Sequence, residues 1–203
     1  MISRRAFVMS AASAMVLPAL YPANAFAEVP DAPRRLIAGA KGQIGQTLHY
    51  DGAYARLDYP GGDVPRERGV CSDVVIRAYR DGLGIDLQKL VHEDMGAHFS
   101  AYPANWGLTR PDSNIDHRRV PNLATYFKRQ GAKLGPEARY EPGDLVTQMV
   151  GGSLPHIVIV SAEKVRDMSR YKVIHNIGGG TVYADGLKTF PVTGHYRFFG
   201  SRV

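Results

Sequence analysis

The sequence has very little cysteine and tryptophan: its 203 residues include one of each. A single cysteine cannot close an internal disulfide, so a disulfide framework is excluded. The longest mostly apolar stretch, from Ala11 to Leu20, is shorter than a bilayer span of about 20 residues, so we expect no stable membrane insertion. Ser/Gly-rich linkers and internal repeats are lacking too. The sequence therefore predicts one domain, over residues 28–203.

The first 27 residues have the pattern of an export signal. Arg4 and Arg5 precede Phe7, the apolar stretch follows, and Ala25-Phe26-Ala27 gives a small-x-small ending. Paired arginines before an apolar region indicate the twin-arginine route. We therefore expect residues 1–27 to be a cleaved twin-arginine-type signal peptide and the protein to be periplasmic or otherwise exported.

The chain is mildly basic, with a formal net charge of +6 at pH 7. In an exported protein this excess does not indicate nucleic acid, and we expect no such partner. It would suit an anionic cell-wall polymer, although scattered positive charge usually reflects a solvated surface.

Helical and strand patterns occupy different halves of the sequence. Apolar residues recur with helical spacing in residues 33–48, from Cys71 onward, after Asp86 and after Pro121, and residues 50–69 between the first two patterns form an irregular loop. Short β-branched and aromatic runs follow Gly135, at residues 144–149, 156–161, 171–177 and 194–199. This order predicts an α+β fold with the N-terminal helices packed on a C-terminal antiparallel sheet.

Cys71 stands where a glycine-rich turn becomes a helix. A helix start offers unpaired N–H groups and the positive end of the dipole, so we expect the thiolate to be favoured there. Cys71 is therefore a candidate nucleophile. A small buried hydrophobe and an intermolecular bridge remain the alternatives for an unpaired thiol.

A thiol nucleophile needs a base, and the base needs an orienting group. His156 opens one predicted strand and His175 closes the next. If these strands are neighbours, both imidazoles come to one edge of the sheet, facing the helix that presents Cys71. Each histidine alone could equally be structural.

Several short motifs resemble those of the NlpC-type cell-wall cysteine peptidases and occur in the same order. The chain is identified as a member of a divergent branch of that group, whose members are exported proteins of uncharacterised function. The motifs are Tyr59-Pro60-Gly61-Gly62, Gly69-Val70-Cys71-Ser72, Pro142-Gly143-Asp144-Leu145-Val146, His156-Ile157-Val158-Ile159-Val160 and Val173-Ile174-His175. The resemblance implies a papain-like fold, cleavage of amide bonds in peptidoglycan stem peptides, and no metal or organic cofactor.

The resemblance also implies roles. Cys71 becomes the nucleophile, His156 the base and general acid, and His175 the residue that orients His156. Tyr59 or Tyr54 is then a candidate donor to the oxyanion.

Four further residues are candidates for substrate binding. Ser72 and Asp73 follow the nucleophile. Val70 replaces the family's usual acidic residue and Asp73 its usual glycine, so specificity is where this chain should differ. Arg118 and Arg119 are candidates for a stem-peptide carboxylate, with a purely structural ion pair as the alternative.

Other activities stay open. A wall-binding module without catalysis, or acyl transfer to another amine, could use the same fold. Metal sites are disfavoured: His92 and His98 are six residues apart, which sends them to different helix faces. Asp112, Asn114 and Asp116 resemble the start of a calcium loop that lacks its glycine and distal glutamate.

Overall fold

The structure is a computed structural model that describes residues 30–166 and 168–200. The predicted signal peptide, residues 1–27, lies outside the described residues. Within the described ranges, no helix is long and apolar enough to cross a membrane.

Four α-helices precede the main sheet, as the sequence predicts. They are α1 (Asp31–Lys41), α2 (Cys71–Leu83), α3 (Leu87–His98) and α4 (Val120–Arg129), with 3-10 turns at Phe99–Ala101 and Asp116–Arg118. The strands are β1 (His49–Tyr50), β2 (Arg68–Gly69), β3 (Leu145–Val150), β4 (Leu154–Lys164), β5 (Tyr171–Asn176), β6 (Thr181–Ala184) and β7 (Val192–Tyr196).

The helix that bears Cys71 begins and ends for local reasons. Val70 is extended, and its N–H donates to the Asp73 carboxylate at 2.7 Å, which closes the first turn. Gly84 ends the helix in the left-handed conformation, with φ of 69°. The side chain of Asp86 then caps α3, as predicted.

The first helix is shorter than its apolar pattern suggests. We predicted a helical face over residues 33–48, but α1 ends at Lys41 and Gly42 caps it. The chain then turns through Gly45, whose φ is 77°. Ile44 and Leu48, assigned to the buried face, are 42% and 53% exposed.

The sheet is antiparallel throughout, with strand order β6-β5-β4-β3-β7. The four predicted strand runs correspond to β3, β4, β5 and β7, and β6 is an addition. Ile157, Ile159 and Ile174 pack with the helices in one core, while Val158 and Val160 belong to a smaller cluster on the opposite face. The α+β arrangement of N-terminal helices on a C-terminal sheet is confirmed.

Burial holds α2 in place. All nine residues from Cys71 to Tyr79 are buried, and the Tyr79 hydroxyl donates to the Phe198 carbonyl at 2.6 Å. Burial of this kind stabilises by about 25 cal/mol per Å² of apolar surface, so the position of Cys71 is fixed by the core rather than by the loop before it.

Candidate active site

Cys71 lies at the floor of an open groove of about 640 Å³. Its side chain is the first of α2 and only 2% exposed, and it belongs to the lining of this groove. Tyrosine, tryptophan, arginine and proline residues make up half of the lining. They include Tyr50, Tyr54, Trp106, Arg118, Arg119, Pro121 and Pro155.

The sulfur is held at the open end between β4 and β5. The register of these two strands ends with Ile159 opposite Ile174, so Ile157 pairs with Thr147 of β3 and has no partner in β5. The N–H of Ile157, the Tyr50 hydroxyl and the N–H of Ser72 lie near enough to the Cys71 sulfur to lower the pKa of its thiol. The nucleophile candidate therefore lies near the residue that directly follows His156.

The structure brings His156 and His175 together. His156 Nε2 lies 2.8 Å from His175 Nδ1, and the two side chains are 3% and 6% exposed. Because Nε2 of His156 is engaged, its Nδ1 remains for another partner. Only the tautomer in which His156 donates from Nε2 leaves Nδ1 as a base, and it makes His175 the acceptor.

His156 directly precedes Ile157, the residue near the sulfur, but neither described imidazole forms a hydrogen bond with the sulfur. Among the described residues, no hydrogen bond joins Cys71 to either histidine. Side chains alternate along β4, so His156 leaves the strand on the face of Val158, opposite Ile157. Neither histidine belongs to the lining of the groove that contains Cys71.

Burial controls the ionisation of both partners. It raises the pKa of Cys71 to about 11, and the hydrogen bonds from Ile157, Tyr50 and Ser72 oppose it only in part. Our expectation that the helix start favours the thiolate is therefore wrong, because desolvation outweighs the dipole. Burial, assisted by the neighbouring His175, lowers the pKa of His156 to about 4, and burial also lowers the pKa of His175. At neutral pH the thiol and the His156 imidazole are therefore both uncharged.

Alkylation of Cys71 by iodoacetamide should accordingly be slow at neutral pH. With a pKa two units above that of an ordinary thiol at 9.0, we expect the rate at pH 7 to be about 100-fold below that of N-acetylcysteine. The rate should rise about tenfold per pH unit towards pH 11. Mass spectrometry of the labelled protein measures this, and labelling as fast as the free thiol at pH 7 would contradict it.

Tyr50 is the site residue that sequence reasoning missed. It lies in β1, whose parallel pairing places Tyr50 opposite Gly69, two residues before Cys71. Burial is the main cause that raises the pKa of its hydroxyl, followed by the effect of Cys71. The hydroxyl therefore stays protonated and can donate. A two-residue bridge has no periodic pattern, so the only available signal was a tyrosine at the start of the glycine-rich loop.

The two tyrosines that sequence analysis proposed lie elsewhere. Tyr54 lines the groove, but its hydroxyl donates to Asp112 and accepts from Asn114, both at 3.1 Å. Tyr59 packs edge-on against His92 with ring centroids 5.0 Å apart, outside the groove lining. Neither is the tyrosine that contacts the sulfur.

Ser72, Asp73 and Arg118 form a buried network behind the nucleophile. The Asp73 carboxylate accepts from Arg118 Nε at 2.8 Å and Nη2 at 2.9 Å, and the Ser72 hydroxyl donates to the Arg118 carbonyl at 2.5 Å. Arg118 also donates to the carbonyls of Asp51 and Ala53, just after Tyr50. These groups hold the site together, and their polar atoms are occupied by one another rather than turned to a substrate.

Arg119 is placed differently. It lines the groove, and its guanidinium carbon lies 4.1 Å from the centre of the Trp106 ring. Its hydrogen bond to a described side chain is a long one, 3.4 Å from Nη1 to Asp116. Of the two arginines, Arg119 is the one that faces the groove with donors to spare.

The residues considered as metal ligands form hydrogen bonds and ion pairs within the protein. Asp112 accepts the backbone N–H and the side-chain amide of Asn114, while Asp116 accepts the N–H of Asp112. In α3, Asp94 pairs with Arg129 at 2.7 Å. Within the described ranges no group of three or more His, Cys, Asp or Glu side chains is arranged to hold a metal ion.

Comparison with known proteins gives the family. The model of a domain of unknown function, DUF1287, matches residues 37–198. The chain belongs to the DUF1287 family. An Escherichia coli (strain K12) relative, described as uncharacterized protein YijF, is 55% identical over 165 residues, which are 79% of each chain.

Membership of DUF1287 corrects the family assignment made from the sequence. DUF1287 is not an NlpC-type family, so identifying the chain as an NlpC-type peptidase is wrong. The motifs behind that assignment were a glycine-rich turn before Cys-Ser and histidines at strand ends. Such short segments recur in unrelated proteins because the same local geometry is useful on many folds.

Proposed function

We propose that this DUF1287 protein is a thiol hydrolase that cleaves amide bonds in peptidoglycan stem peptides through an acyl-enzyme. The observation that carries the proposal is the position of Cys71, at a helix start, in the lining of a groove, and near the residue after His156. A nucleophile, a paired base and an accessible cleft are the minimum set for covalent amide hydrolysis.

The neutral resting state implies that proton transfer and attack occur together. Nδ1 of His156 takes the thiol proton as the sulfur bonds to the amide carbon. His156 is then an imidazolium, and its Nε2–H continues to donate a hydrogen bond to His175. The imidazolium protonates the leaving amine as the C–N bond breaks, which leaves a thioester. Water, deprotonated by the same imidazole, attacks the thioester carbon. The C–S bond then breaks, the carboxylic acid is released, and the imidazolium returns its proton to the sulfur.

The oxyanion formed in each half-reaction needs donors above the sulfur. The N–H of Cys71 is the first of α2 and has no acceptor within the helix. The Tyr50 hydroxyl, which lies near the sulfur and lines the same groove, is the second donor we assign. Donors of this kind contribute about 10²–10³-fold each to acyl transfer.

The finer features of fold and location are part of the proposal. Three features support a papain-like arrangement. The cysteine begins a buried helix, one histidine lies near the start of an antiparallel strand, and its partner histidine lies on the next strand. Export through the twin-arginine signal of residues 1–27 would bring the protein to its substrate. Replacing Arg4 and Arg5 together by lysine should leave the protein in the cytoplasm on cell fractionation.

The test is release of peptides from cell wall. Purified sacculi and defined muropeptides are incubated with wild-type protein and with Cys71→Ala, and the products are identified by mass spectrometry. We expect fragments from the wild type and none from Cys71→Ala. Equal release by both proteins would refute the proposal, and products joined to an added amine would indicate acyl transfer.

A wall-binding module without catalysis is the second candidate. The raised pKa of Cys71 and the lack of a hydrogen bond from the sulfur to either described imidazole favour it. Slow alkylation of the free protein does not decide between the two, because both predict it. Sacculus pull-down by wild type and Cys71→Ala alike, with no product from either, would support binding alone.

A further inference from the structure

The groove above Cys71 carries positive charge that its own walls do not balance. Its described lining includes two arginines and no aspartate or glutamate. Arg118 is neutralised by Asp73 in a buried pair, with side chains 2% and 4% exposed. Arg119 pairs more loosely, at 3.4 Å from Nη1 to the buried Asp116 carboxylate outside the groove lining, so its charge is only partly balanced.

The setting of Arg119 leaves its recognition edge open. Trp106 covers one face of the guanidinium at 4.1 Å, and a stacked guanidinium keeps its N–H groups in the plane of the fork. The long Nη1 contact to Asp116 uses one of five donors. Among the described residues, Nε and Nη2 have no hydrogen-bond acceptor.

The two neighbouring arginines show opposite electrostatic balance. For Arg118, burial lowers the pKa, but hydrogen bonding to Asp73 more than compensates and the net shift is upward. For Arg119, burial again lowers the pKa, and Asp116 and Asp112 do not compensate. A buried guanidinium that its neighbouring carboxylates do not fully compensate is stabilised most by an added anion.

We propose that Arg119, stacked on Trp106, is a carboxylate-binding subsite that makes the groove select stem peptides with a free carboxylate near the scissile amide over their carboxamide forms. A planar fork and a carboxylate form two parallel hydrogen bonds, which a carboxamide cannot match because one of its two positions is a donor. This inference rests on the proposed function for the identity of the peptide. The pair of hydrogen bonds between Arg119 and a carboxylate depends only on the residues of the groove.

Trp106 provides the measurement, because it is the one tryptophan of the chain and lies in the groove. Cys71→Ala protein, which binds without turnover, is titrated with L-alanyl-γ-D-glutamyl-L-lysine and with the same peptide whose glutamyl carboxylate is a carboxamide. We expect tryptophan fluorescence to report a Kd for the acid about 10- to 100-fold below that for the amide, the range of charge-assisted hydrogen bonds.

Variants separate the subsite from general electrostatics. In the same background, Arg119→Gln should bring the two Kd values within about twofold of each other, and Arg119→Lys should keep part of the preference. Arg110→Gln removes an equal charge from the exposed loop beside the groove and should keep the full preference. Equal Kd values in the Cys71→Ala parent, or an unchanged ratio in Arg119→Gln, would overturn the inference. If Arg119→Gln does not fold, the parent and Arg119→Lys still decide.

Turnover by the wild-type protein distinguishes this inference from the proposed function. Hydrolysis of acid and amide at equal kcat/KM would leave the hydrolase standing and refute the subsite. Acid-selective binding with no hydrolysis would refute the hydrolase and support the subsite. Where both hold, Arg119→Gln should raise KM for the acid and leave kcat within about threefold.

Discussion

His156→Gln is expected to lower kcat/KM for stem-peptide amides by about 10²–10⁴-fold, the contribution typical of a general acid–base residue. Glutamine retains a side chain that can bond to His175, but it has no nitrogen that accepts a proton. His156→Ala should fall in the same range, and His98→Ala, on the exposed part of α3, should match the wild type. Activity of His156→Gln within threefold of the wild type would show that the imidazole is packing only.

His175 is expected to act through His156 and so to be a positioning residue. The 2.8 Å contact requires an acceptor at position 175. Asparagine supplies one and alanine does not, so His175→Asn should keep more activity than His175→Ala. A structural role alone would make the two variants lose activity with their stability, which thermal melting measures separately.

The pH dependence of kcat/KM gives an independent check on the same base. The reaction needs neutral His156, and burial lowers its pKa to about 4, so the acid limb should lie near pH 4 instead of near 6.5. The His175→Asn variant changes a neighbour that contributes to this lowering and should move the limb upward. An acid limb near pH 6.5 in the wild type would mean that a group other than the buried His156 controls the activity.

Sequence reasoning predicted the elements that local chemistry determines. The start of α2, its glycine stop and the Asp86 cap depend on residues within one or two turns, and they were found correctly. It overextended α1 because Ile44 and Leu48 continue the helical spacing after Gly42 has ended the helix. It missed β6, since the four residues of that strand follow a glycine run and are too few for a pattern.

The site was harder to predict because its features are non-local. The pairing of His156 with His175 follows from two adjacent strands, which the sequence pattern indicates. The contact of Tyr50 with Cys71 depends on a bridge between distant segments, which no local pattern shows. The high pKa of Cys71 likewise depends on the core around it, and a helix dipole is too weak to outweigh that burial.

The largest stability effect is expected at the ion pair behind the nucleophile. Arg118→Met leaves the Asp73 carboxylate, with a side chain 4% exposed, buried without its charged partner. Removing one member of a buried pair costs about 3–5 kcal/mol, so the free energy of unfolding should fall by that amount. Urea denaturation measures it.

A matched surface pair gives the control. Arg170 and Asp185 form a salt bridge whose side chains are 29% and 37% exposed, so Arg170→Met should cost less than about 1 kcal/mol. The double variant Arg118→Met with Asp73→Asn should recover part of the loss, because the uncompensated charge is gone while the N–H of Val70 keeps an acceptor. A loss below 1 kcal/mol in Arg118→Met would mean that water reaches Asp73.

The same substitution should affect the site through its geometry. Arg118 ties the first turn of α2 to the carbonyls of Asp51 and Ala53, so it fixes the segment that carries Tyr50 relative to the Cys71 sulfur. In the double variant, which restores charge balance but not these two bonds, we therefore expect stability to recover further than turnover. Under the proposed function, the pair then serves the site in two separable ways. Its charge balance stabilises the fold, and its remaining donors set the distance between the sulfur and the Tyr50 hydroxyl that we assign to the oxyanion.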